Sequence, residues 1–145
     1  MPHLSFNSNE RRLMKHALQW TVAILSLLPL TFGTLGLVFG VEFYISAEAA
    51  TPNLDSQFRF TSGWDVGLAL VVWWLIPNIE RNGSLFRLVC FAVFLGGLGR
   101  LAAWYVTGRP ATLVLLVTAI ELAIPLLIPW QAAIAREAPT VREQQ

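Results

Sequence analysis

The sequence predicts an all-α membrane protein: four transmembrane helices in an up-down bundle, with both termini in the cytoplasm. Three observations carry that reading. First, 55% of the 145 residues are hydrophobic and 13% are charged. A soluble domain carries about 25% charged residues, and a soluble fold of this size could not hide so much apolar surface. Second, the apolar residues gather into four runs separated by short polar turns. Each run is long enough to cross a hydrocarbon core of about 30 Å. Third, the basic residues are distributed unevenly about those runs, as membrane insertion demands.

Residues 1–16 form a polar tail with Arg11, Arg12 and Lys15. The first span is expected at residues 17–41. It exceeds the ~7–15 apolar residues of a signal-peptide core, so a retained helix is expected rather than a cleaved leader. Pro29 is expected to kink it. Gly36 and Gly40 are spaced for close helix approach. The following loop carries Glu42, Glu48 and Asp55 but no Lys or Arg, and these acids are expected to be solvated. The second span, residues 58–77, is bracketed by Phe58, Phe60 and Trp64 at one end and by Trp73 and Trp74 at the other, as two interfacial aromatic belts would be. Gly63 and Gly67 make a smooth strip along it. A polar turn leads to the third span, residues 85–107, which ends in Trp104 and Tyr105. Gly108-Arg109-Pro110 is a turn, with the proline set to open the fourth span at residues 111–134. Residues 136–145 are a second polar tail, and the whole chain is one domain without internal repeats.

With the amino terminus inside, Arg11, Arg12, Lys15, Arg81, Arg87, Arg136 and Arg142 fall on the cytoplasmic side. Arg59, Arg109 and Arg100 fall toward the other, together with the acidic loop. The positive-inside rule therefore favours this orientation.

Several functions are disfavoured. A net charge of +1 gives no basic surface for nucleic acid. Cys90 is the single cysteine, which rules out an intrachain disulfide or a thiolate pair; it reads as a small buried apolar residue. His3 and His16 both precede the first apolar run, so paired axial ligands for a haem between spans are missing. No metal site and no cofactor are expected.

What stands out is charge at depth. Asp65, Arg100 and Glu121 each sit roughly 10–15 Å along their spans from the same side of the membrane. A charge there costs about 2.5–3.5 kcal/mol even on lenient scales. They are expected to form one buried polar cluster, with Arg59 at its edge. In the third span Gly96 and Gly97 share a face with Arg100 and would let a neighbouring helix approach the guanidinium. Pro125 lacks an N–H, so it frees the carbonyl of Glu121 and should bend the fourth span. Arg100 could serve both that carbonyl and the carboxylate.

Asp55-Ser-Gln-Phe-Arg-Phe60 followed by Gly63, Phe94-Leu-Gly-Gly-Leu-Gly-Arg100, and Gly108-Arg-Pro110 with Glu121-Leu-Ala-Ile-Pro125 together resemble a bacterial family, domain of unknown function 4345. The resemblance covers roughly Thr21 to Gln131. It implies a four-helix integral protein of the bacterial cytoplasmic membrane and draws attention to Arg59, Arg100 and Glu121. It implies no reaction, and Asp65 rests on depth and geometry alone.

Three functions compete. The foremost is a non-enzymatic accessory, scaffold or small-ligand-binding subunit built on the Arg/Glu/Asp cluster. Its partners would be the lipid bilayer, a small-molecule or lipid ligand, and a second copy or another membrane protein. The alternative is a proton- or solute-coupled transporter working as a dimer, with Glu121 as the proton site. Arg100 close by argues against that. The third is a membrane-embedded enzyme acting on a lipid-like substrate, for which a histidine at depth and a metal motif are both missing.

Overall fold

In the computed structural model, residues 8–45 and 47–136 are described. Five α-helices follow one another: α1 (Ser8–Phe39), α2 (Pro52–Leu75), α3 (Gly83–Thr107), α4 (Thr112–Ala123) and α5 (Leu127–Arg136). Short 3-10 turns join several of them, at Gly40–Phe43, Ala47–Ala49, Ile76–Asn78 and Ile124–Leu126. Among the described residues there is no strand. Four stretches are long and apolar enough to cross a membrane: Asn9–Phe43, Pro52–Asn78, Gly83–Thr107 and Thr112–Ala135. The chain is a multi-pass membrane protein. Its large exposed apolar side chains, among them Leu70, Trp74, Leu88, Phe91 and Leu116, are those that hydrocarbon would cover.

Helix ends depart from the expected spans where polar residues continue a helix beyond its apolar run. α1 begins at Ser8 rather than after residue 16. The rest of the expected tails, residues 1–7 and 137–145, lies outside the described residues. α1 continues helically through Pro29. α2 begins at Pro52, six residues before the expected Phe58. Thr51 caps it by accepting from the Leu54 N–H at 3.2 Å, and Pro52 occupies the first turn, where its missing N–H costs nothing. Asp55 is therefore helical and not in a loop. The fourth span is interrupted where Pro125 stands: α4 stops at Ala123, and α5 resumes after the Ile124–Leu126 turn.

The chain forms two compact units, residues 19–77 and residues 1–18 with 78–145. In the first, α1 and α2 meet on small residues. A Cβ on Gly33 would stand 2.8 Å from the Ser62 carbonyl oxygen and 2.9 Å from Asp65 Cβ, and one on Gly36 would be 3.0 Å from Phe58 Cε1. Glycine at both positions is what lets the backbones approach, since lipid offers no hydrophobic drive for helix association. Val22, Ser26, Ser62, Ala69, Val72 and Leu75 are buried there. Trp73 Nε1 donates to Ser26 Oγ at 2.8 Å, and Gln19 Nε2 donates to the Ile76 carbonyl at 2.8 Å.

In the second unit the core is Leu18, Ile79, Phe86, Cys90, Thr118, Gln131 and Ile134. Gln131 Nε2 donates to the Ile79 carbonyl at 2.9 Å, which ties α5 to the turn before α3. Lys15 Nζ pairs with Glu80 Oε1 at 2.8 Å. Gly97 faces α4, and its Cβ would lie 3.1 Å from Glu121 Cβ and from Leu122 Cδ2.

Gly96 and Gly67 behave differently from the packing role expected of them: a Cβ at either would meet nothing within 4 Å. Gly63 would meet only Leu37 Cδ2, at 3.9 Å. Within their own units these positions lie open among the described residues.

Candidate functional site

Arg59 and Arg100, each within a candidate span, each hold a carboxylate, one in each unit. Arg100 lies near the far end of α3 and reaches across to α4. Its Nε–H is shared between the two oxygens of Glu121, at 3.2 Å to Oε1 and 3.0 Å to Oε2. Gly97, one turn before Arg100, makes this possible by bringing α4 to within van der Waals distance of α3. The Glu121 side chain is 18% exposed, whereas that of Arg100 is 46% exposed. Only Nε of Arg100 is bonded among the described residues, so both terminal amino groups have donors to offer. The bond from Arg100 to the freed Glu121 carbonyl, expected from the sequence, is not formed. Thr118, on the same face of α4 as Glu121, is buried and donates to its own helix at Val114 O, 2.8 Å away.

Arg59 is arranged otherwise. Its Nε–H donates to Asp55 Oδ2 at 2.8 Å, one turn earlier on α2. Its Nη1 donates to the carbonyls of Leu37 and Val38, the latter at 3.3 Å. Asp55 Oδ1 in turn accepts the Val41 N–H at 2.8 Å. The last carbonyls of a helix have no partner within it; here α2 supplies one to the end of α1. Gly40 permits the arrangement twice over. Its φ of +69° turns the chain out of the helix, and its missing Cβ leaves room for Asp55 and Arg59. Asp55, expected to be a solvated loop acid, is thus a structural partner of Arg59.

The four residues expected in one cluster divide between the units. Arg100 and Glu121 belong to one and meet directly, while Arg59 and Asp65 belong to the other. Asp65 is half-buried on α2, next to Gly33 of α1. The residues that sequence reasoning passed over are Asp55, Gly33 and Gln131. For Asp55 the signal was present: Thr51-Pro52 is a helix start, and a start there sets Asp55 and Arg59 four apart on one face.

An arginine with unengaged donors beside a carboxylate can hold a hydrogen-bond acceptor, above all an anionic one. No curated protein and no solved structure matches the chain. A family profile does match, over residues 17–131, which includes all three of the motifs quoted above and both arginine pairs. The chain belongs to this family, a domain of unknown function (DUF4345).

Proposed function

We propose that this chain is a non-enzymatic membrane protein that binds a small ligand within the bilayer, with Arg100 and Glu121 at the centre of the site. One observation carries the reading. Arg100 uses a single N–H on Glu121, and its side chain, 46% exposed, keeps both terminal amino groups without a partner among the described residues, within a candidate span. Hydrocarbon offers no acceptor, and an unsatisfied donor there costs several kcal/mol. A ligand bearing a carboxylate, phosphate or carbonyl oxygen would meet that need. Gly96, one turn along the same face, leaves space beside the guanidinium for such a group. Glu121 balances the charge, so the empty site need not bury a lone cation. The distribution of Lys and Arg supports a bacterial cytoplasmic membrane with both termini inside.

The test is native mass spectrometry of the protein purified in mild detergent. Wild type is expected to carry a small molecule that both Arg100→Ala and Gly96→Leu lose. Gly96→Leu matters because a Cβ there meets nothing within 4 Å among the described residues, so the fold should stay intact. If Gly96→Leu retains the bound mass, or wild type carries none, the reading fails.

A further inference from the structure

A different set of residues, within the unit of α1 and α2, lies along α2. A shallow open face of about 340 Å³ runs along this one helix, lined by Arg59, Phe60, Gly63, Trp64 and Gly67. Residues four apart on a helix form a row, and two such rows build this face. One is Asp55, Arg59, Gly63 and Gly67. The other is Phe60 and Trp64, whose rings meet edge to face with centroids 6.3 Å apart. The glycines are a floor, the aromatic rings a wall, and the ion pair stands at the end nearest the α1–α2 loop. The floor is open: nothing approaches Gly67, and only Leu37 comes near Gly63. The ion pair remains accessible as well, with the Asp55 and Arg59 side chains 34% and 41% exposed. Arg59 Nη2 has no hydrogen-bond partner among the described residues.

We infer that this face holds a zwitterionic phospholipid. Its phosphate sits on Arg59, its ammonium on Asp55, and one acyl chain lies over Gly63 and Gly67 against Phe60 and Trp64. The order of groups is the argument. Read from the loop end of α2 toward its middle, the row presents an anion, a cation and then apolar floor, each four residues or about 6 Å from the next. A phosphoethanolamine lipid presents an ammonium, a phosphate and then hydrocarbon, in the same direction and on a similar scale. Charge complementarity also separates lipid classes. An anionic headgroup would bring its negative charge beside Asp55, with the exposed Glu42 in the adjoining turn. A second helix docked on the same face would press an apolar surface against the ion pair.

The experiment titrates delipidated protein in mild detergent with palmitoyl-oleoyl phosphatidylethanolamine, and in parallel with phosphatidylglycerol of the same chains, read by native mass spectrometry. Wild type is expected to retain one phosphatidylethanolamine in preference to phosphatidylglycerol. Gly67→Leu should weaken that binding by about tenfold by occupying the floor. Trp64→Ala, which removes an exposed wall, should weaken it in the same direction. Both variants should keep wild-type helicity by circular dichroism. Unchanged binding in Gly67→Leu overturns the proposal. So does equal or tighter binding of phosphatidylglycerol. A Gly67→Leu variant that turns a dimer into a monomer without changing bound lipid would instead make a second copy the occupant.

Discussion

Arg59 and Arg100 are the same residue type in the same kind of surroundings, each within a candidate span and each against a carboxylate. They differ in what else they hold. Arg59 pairs with an acid on its own helix and uses a further nitrogen on the closing carbonyls of α1. It fastens one helix end to the next helix. Arg100 pairs across helices through Nε alone and has most of its donors left over. The fold engages Nε and Nη1 of Arg59 and leaves Nη2 open, whereas it engages Nε alone of Arg100 and leaves both terminal amino groups open. Charge within a membrane span therefore does not by itself mark a ligand site. The count of engaged donors says how much of each arginine the fold itself uses.

That contrast can be broken most forcibly at Arg59. Arg59→Ala strips the α1 carbonyls of their donor and leaves Asp55 without its cation. The largest loss of stability among these variants is expected, seen as a lower melting temperature in detergent. Arg100→Ala should cost clearly less stability while abolishing bound ligand. If it destabilises as much as Arg59→Ala and no ligand is lost, both pairs are fasteners and the distinction disappears.

Gly97→Leu and Gly96→Leu sharpen the same contrast from the backbone side. Gly97 faces α4 at contact distance, so a leucine there forces α3 and α4 apart, at about 1–3 kcal/mol. Its neighbour Gly96 faces open space, and leucine there should change stability by less than about 0.5 kcal/mol. Thermal melts of the two variants side by side decide this; equal losses would mean that the Gly96 face is also packed.

The smallest effect is expected at Glu80, which lies between two candidate spans and pairs with Lys15. Burial pushes its carboxyl up, but the hydrogen bond from Lys15, a backbone hydrogen bond and the charges of Lys15 and Arg81 outweigh burial and hold it below the ordinary value of 4.5. A lowered folded value means that its stabilisation is complete above the unfolded value and drains away as pH falls through the folded one. Glu80→Gln should therefore lower the melting temperature slightly at neutral pH, and the gap from wild type should close as the pH is taken below 4.5. A gap that persists in acid would mean that the carboxylate's charge is not what matters. Its second oxygen is buried without a hydrogen-bond partner among the described residues, which keeps the contribution small.

Much of this protein could be read from its residues in order. The four apolar runs locate four helices because hydrocarbon tolerates only backbone bonded within itself. Pro125 forecast the break between α4 and α5, since its absent N–H cannot continue the ladder. The pairing of Arg100 with Glu121 was legible too, because two charges at one depth in neighbouring spans have few other partners. Helix starts were less legible, for hydropathy sees only the apolar part of a helix. It set α2 at Phe58 and so hid Asp55, although Thr51-Pro52 carried the local signal.

Other features lay beyond any reading of the sequence. Gly96 and Gly97 are adjacent and identical, yet one is filled by α4 and the other is open, because facing depends on where the next helix lies. Gly33 lies outside the Gly36/Gly40 spacing and still seats Ser62. Whether an arginine's donors are engaged depends on which carbonyls a neighbouring helix brings within about 3 Å. Composition and periodicity determine that helices form and how far they extend, since those are local balances of hydrogen bonding and transfer into lipid. Which donors stay open is decided by contacts between residues far apart in the chain, and only the packed structure sets those.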